Sequence, residues 1–122
     1  MSDQILPATN VAFVGALCEQ FPVLIPLLQT HLDAYEALLP HLFLGEVTPW
    51  LVERYVENPT DETTLGILRF IDTAFASAAG DRYELIAASF LENLPRKTEP
   101  GADIRVALGS SLRDWVDRNR DY

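Results

Sequence analysis

The chain has 122 residues, 48% of them hydrophobic and 22% charged, which is enough for one domain around one core. Eighteen Asp and Glu against nine Lys and Arg leave a net charge of -9, excluding a nucleic-acid binder that works by neutralising phosphates. The apolar content is too high for a disordered chain, and no apolar run is long enough to make a membrane span.

Residues 1–9 read as an extended arm, with Thr9 or Asn10 as the cap of a first helix near 10–20 whose apolar face is Val11, Val14, Leu17 and Cys18. No basic residue precedes the first apolar stretch, which argues against a secretory signal, and a lone cysteine, Cys18, excludes an intrachain disulfide. A cytoplasmic protein is expected, with Cys18 as a small core residue. The second helix, with Pro22 in its first turn and Pro26 four residues on, either tolerates a bend there or starts properly after Ile25, and runs through Leu32, Tyr35 and Leu39 until Pro40 ends or kinks it. A turn through His41–Leu44 then breaks at Gly45, and Thr48-Pro49 caps and opens a third helix over 49–57.

Thr60 or Asp61 caps a long fourth helix carrying Leu65, Leu68, Ile71 and Phe75, with Gly80 as its terminator. Asp81 and Glu84 resemble a capping box for a fifth helix that buries Tyr83, Ile86, Phe90 and Leu94 and stops at Pro95. Residues 95–103 are the most loop-like stretch, and a last helix over 104–119 carries an interruption at Gly109-Ser110. No segment alternates as a strand does. The expected fold is therefore a single all-α domain over 1–122, a compact bundle or short α-solenoid-like stack of five to six helices centred on the fourth and fifth.

No catalytic motif is present: there is no nucleophile elbow, phosphate loop or dinucleotide fingerprint. His31 and His41 lie ten residues apart across Pro40, so they do not share a helix face as metal ligands would. We expect no metal and no cofactor, with His31 on the surface and His41 packed and hydrogen-bonded. The informative feature is where the charge lies. Residues 1–53 hold Asp3, Glu19, Asp33, Glu36, Glu46 and Glu53 without a single Lys or Arg, because the first base is Arg54. Such a negative half suits a cationic protein partner, with Trp50, Tyr55 or Tyr35 as aromatic anchors inside an acidic rim. The candidate partner-binding residues are Glu46, Trp50, Glu53, Glu57, Asp61 and Glu62.

The string from Leu38 to Thr48 (LLPHLFLGEVT), followed about fifty residues on by Ala88 to Leu94 (ASFLENL), resembles a family of small bacterial all-helical proteins of unestablished activity. They share an LLPH-hydrophobic-GE segment and an SFxENL segment ahead of a leucine-rich final helix. Such families are similar to immunity proteins of polymorphic or contact-dependent toxin systems. That implies a non-catalytic inhibitor that occludes a basic cognate toxin domain, for instance a nuclease, with no direct contact to nucleic acid or membrane. The motif residues are Pro40, His41, Glu46, Phe90, Glu92 and Asn93. Of these, Glu92 and Asn93 are expected to hydrogen-bond His41 or the backbone freed at Pro40. The alternatives are a homodimer or helical scaffold built on Trp50 and Trp115, and an enzyme using His41 and Glu46.

Overall fold

In the computed structural model, which describes residues 8–120, six α-helices pack into an all-α bundle, and the described residues contain no strand. The helices are α1 (Ala8–Gln20), α2 (Ile25–Tyr35), α3 (Pro40–Glu57), α4 (Glu62–Ala76), α5 (Gly80–Ser89) and α6 (Ser110–Asn119). Short 3-10 turns at Pro22–Leu24, Leu91–Asn93 and Ala102–Ala107 join them. The expected arm lies mostly outside the described residues, and α1 already includes Ala8 and Thr9, so neither Thr9 nor Asn10 is its cap.

Helix α5 sits against α1, α3 and α4, with α3 its main neighbour, while α6 rests on α4. The centre is thus the α3–α5 contact rather than the expected α4–α5 pair. Phe43, Leu44, Val47 and Leu51 from α3 meet Leu85, Ile86, Phe90 and Leu91 in a core shared with Leu17, Leu24, Ile67, Leu68 and Ile71. Cys18 is buried there, and burial pushes its thiol up from the ordinary value, which keeps it protonated and inert.

Several helix boundaries differ from expectation, and Gly80 opens α5 while α4 already ends at Ala76, so Gly80 is not the α4 terminator. Helix α2 ends at Tyr35, where Glu36 turns left-handed at φ 57°, and Pro40 opens α3 instead of closing α2. Proline suits that place because the first-turn amides have no helical partner to lose. Helix α3 then continues through Gly45 and Pro49, and Thr48 is a buried mid-helix residue rather than a cap. Its buried side chains Phe43, Val47, Leu51 and Tyr55 recur every four residues straight past Pro49, so burial on one face outweighs the missing amide. Helix α5 starts at Gly80, leaving Asp81 in its first turn and not at its cap, and gives way to a 3-10 turn after Ser89. Tyr83 is exposed, stacked on Phe75 at 4.9 Å, and Leu85 takes its expected buried place.

The final region matches its expected interruption at Gly109-Ser110. Gly109 brings no capping side chain to α6; Asp72 of α4 supplies one by accepting the Leu112 amide at 2.9 Å. No single helix among the described residues is long and apolar enough to cross a membrane.

Candidate functional site

Two polar joints set the position of α3. At its amino-terminal end His31, fully buried, accepts the Leu39 amide on Nε2 at 3.0 Å. Its proton is therefore on Nδ1, which donates to Glu46 Oε1 at 2.9 Å. The rings of Tyr35 and Phe43 enclose the imidazole at 5.0 and 5.4 Å. The second joint gathers on Ser89, the last residue of α5. Its hydroxyl and His41 Nδ1 are hydrogen-bonded at 2.8 Å, and its carbonyl accepts from Thr48 Oγ1 at 3.3 Å and from Asn93 Nδ2 at 2.9 Å. Thr48 also donates to Leu44 O, four residues back.

These contacts correct the burial expected of both histidines: His31 is buried and doubly bonded, and His41 is exposed, although it is hydrogen-bonded as expected. They also correct the role of the second motif. Asn93 and His41 converge on Ser89 and do not bond each other, while exposed Glu92 lines a polar cleft with Arg96, Trp115 and Arg120 on another side. Phe90 is fully buried and Pro40 opens α3, so both serve the packing that brings the two motif segments together.

Because α3 is one helix, Glu46, Trp50, Glu53 and Glu57 fall at i, i+4, i+7 and i+11 along a single stripe. Glu53 and Glu57 are exposed, while Glu46 and Trp50 are half-buried. Arg54 covers Trp50, its guanidinium 4.7 Å from the ring centre, and also donates to Asp61 at 3.3 Å. That single base is thereby committed, and the stripe stays acidic. Asp61 caps α4 as expected. Its carboxylate accepts the Thr64 amide and hydroxyl at 2.9 and 2.8 Å, and these bonds, aided by Arg54, hold its pKa below the ordinary value. Asp61 therefore serves the fold first. Glu62 points to a different groove of about 1110 Å³ beside Phe21, Gly66 and Phe70, so it does not join the α3 stripe.

Next to the stripe an apolar groove of about 500 Å³ runs between α3 and the 94–100 segment. Its walls are Pro49, Val52 and Val56 on one side and Leu94, Pro95 and Pro100 on the other, with Glu53 and Glu99 as its acids. Val56 is 56% exposed on the wall of this groove. Gly101 lets the loop lie this close: it adopts φ 86°, and a Cβ there would stand 2.5 Å from Val52. The sequence reading missed this groove, and also Ser89 and Thr48. Its only signals were the prolines at 95 and 100 and the apolar Val52 and Val56 beside Glu53.

The Ser89–His41 pair lines none of the five best-formed grooves among the described residues, and Ser89 is only 5% exposed. Among the described residues no three His, Cys, Asp or Glu side chains are grouped to hold a metal ion.

A family model for a domain of unknown function, DUF7674, matches residues 14–122. The chain belongs to the DUF7674 family. Comparison with curated proteins and with solved structures gave no match. The DUF7674 span takes in the His31–Glu46 joint, the Ser89 joint, the acidic stripe and the apolar groove.

Proposed function

We propose that this DUF7674 protein is a non-catalytic cytoplasmic binding protein whose α3 face holds a basic protein domain, in the manner of an immunity protein occluding its toxin. The observation that carries the reading is the juxtaposition on α3 of Glu46, Glu53 and Glu57 with the apolar groove of Pro49, Val52 and Val56. Acids attract and orient a cationic surface, and the groove offers an apolar contact that can be dried on binding. A nuclease domain suits this arrangement, since the cationic cleft that grips phosphates is also the surface an acidic protein covers. Ser89 is buried and its hydroxyl is taken up by the bond to His41, which supports a structural role for that pair in place of hydrolytic chemistry.

Co-expression with the product of the adjacent gene tests the proposal. The expected result is protection from a toxic product by the native chain and loss of protection in Glu53→Lys/Glu57→Lys. Absence of a toxic neighbour, or protection indifferent to this reversal, overturns it.

A further inference from the structure

The groove between α3 and the 94–100 segment offers acceptors and almost no donors. Its three prolines, Pro49, Pro95 and Pro100, have no N–H. Val52, Glu53 and Val56 lie within α3, where their amides serve the helix. The Asn93, Leu94 and Glu99 amides donate to the Phe90, Leu91 and Arg96 carbonyls at 3.2, 3.3 and 2.9 Å. What remains polar on the walls is the Glu53 and Glu99 carboxylates and Asn93, whose Nδ2 is engaged with Ser89 O, leaving Oδ1 as its acceptor.

The two acids stand on opposite walls, Glu53 on the helix and Glu99 on the loop. Glu99 is fixed by a turn closed on itself, since its Oε1 accepts the Arg96 amide at 2.6 Å while its own amide reaches the Arg96 carbonyl. Arg96 and Lys97 of that loop do not line the groove; Arg96 belongs to the cleft of Glu92 and Trp115.

Such a lining is selective. A carboxylate, a phosphate or a peptide carbonyl would meet acceptors, and a wholly apolar side chain would strip water from two carboxylates without replacing their bonds. A long apolar stem with a donor-only head matches both parts: the stem lies along Val52, Val56 and Leu94 while the head bonds the acids. Arginine suits the groove better than lysine, because its planar guanidinium carries five donors in a fixed fork that can address two walls, whereas an ammonium is a strongly hydrated point charge.

We infer that this groove is a receptor for one arginine side chain of a partner protein. The inference rests on the α3 reading and names the side chain of the basic domain that enters between helix and loop, a type that commonly anchors interfaces.

The probe is a tripeptide with blocked ends and arginine between two glycines, set against the same peptide carrying lysine or citrulline, which keeps the shape of arginine without its charge. Each is titrated into the full-length, isotope-labelled chain and followed by NMR. The arginine peptide should shift the resonances of Val52, Val56, Leu94 and Glu99, and bind more tightly than the lysine peptide and at least about tenfold more tightly than the citrulline peptide. Glu53→Gln, Glu99→Gln and Val56→Ser, all at exposed positions, should each weaken it severalfold. Glu57→Gln, on the same stripe but outside the groove, should leave it unchanged. Equal binding of the citrulline or lysine peptide, shifts centred away from the groove, an equal loss in Glu57→Gln, or no binding would each overturn the inference. Protection on co-expression is read separately: a chain that protects against its toxin yet takes no arginine peptide keeps the α3 reading and loses this one.

Discussion

His31 on α2 gives its Nδ1 proton to Glu46 on α3 while its Nε2 takes the Leu39 amide from the loop between them. One imidazole thus joins two helices and their connection. Removing it strands a backbone amide and a carboxylate, and leaving a buried polar group unmatched costs about 1–3 kcal/mol. His31→Ala should lower the unfolding free energy in urea by that order, with faster hydrogen exchange in α2. Glu46→Gln keeps an acceptor for Nδ1–H and should cost about 1 kcal/mol or less.

The Ser89 carbonyl receives two side-chain donors, Thr48 and Asn93, from different elements. Either one leaves it satisfied. Thr48→Val and Asn93→Ala should each cost about 1 kcal/mol, and the double variant more than their sum, because only then is the carbonyl bare. A double-mutant cycle in urea measures the excess.

Gly109 and Asp72 form a similar pair across α6 and α4. A Cβ on Gly109 would fall 2.2 Å from Asp72 Oδ2, displacing the carboxylate that caps α6 through Leu112. Asp72→Ala should cost about 1 kcal/mol, the usual worth of a cap, and Gly109→Ala at least as much. In the Asp72→Ala background Gly109→Ala should be close to neutral, since the obstacle has gone and φ at Gly109 is an ordinary -69°. Thermal melts of the four proteins check this.

Asp61 carries the pH dependence that the structure makes explicit. Its pKa is held down in the folded state by the Thr64 amide first, then the Thr64 hydroxyl and Arg54. A carboxylate whose folded pKa is depressed stabilises the protein above the unfolded value of about 3.9, and that contribution fades as pH falls through the lower folded value. Asp61→Ala should therefore melt below the native chain at pH 7. Below pH about 3.9 the difference should shrink, as the native carboxylate protonates too.

Glu53 and Glu57 are exposed on the outer face of α3, so reversing both should move stability by about 0.5 kcal/mol or less. On the proposed basic partner the same change should slow association and flatten its dependence on salt, leaving dissociation less affected. Stopped-flow mixing at two ionic strengths separates the rates.

Much of the fold was legible because helix faces repeat: the α4 stripe of Leu68, Ile71 and Phe75, the Asp61 cap and the Gly109 interruption are all local signals. What local rules misjudged were prolines. Pro40 and Pro49 read as a stop and a start, yet the four-residue recurrence of Phe43, Val47, Leu51 and Tyr55 ran through both readings and carried the stronger message. The histidines were misassigned for a different reason. His31 is buried by a left-handed turn at Glu36 that swings the Leu39 amide back onto its ring, a contact no spacing rule contains. The acidic candidates were placed near one another by charge counting, but only the unbroken α3 sets three of them in a line with Trp50 and sends Asp61 and Glu62 to other tasks.

Pro49 also changes what the α3 face is made of. Having no amide hydrogen, it cannot bond the carbonyl of Gly45, four residues back, as a regular helix would. Gly45 itself lies partly open beside Asn93 and lacks a side chain that would screen its backbone. Pro49 therefore denies the Gly45 carbonyl its regular helical donor, on the turn of α3 that leads into the apolar groove. Any other residue at position 49 would supply the missing amide, so this gap in the helical ladder belongs to the proline and not to the side chains that line the groove.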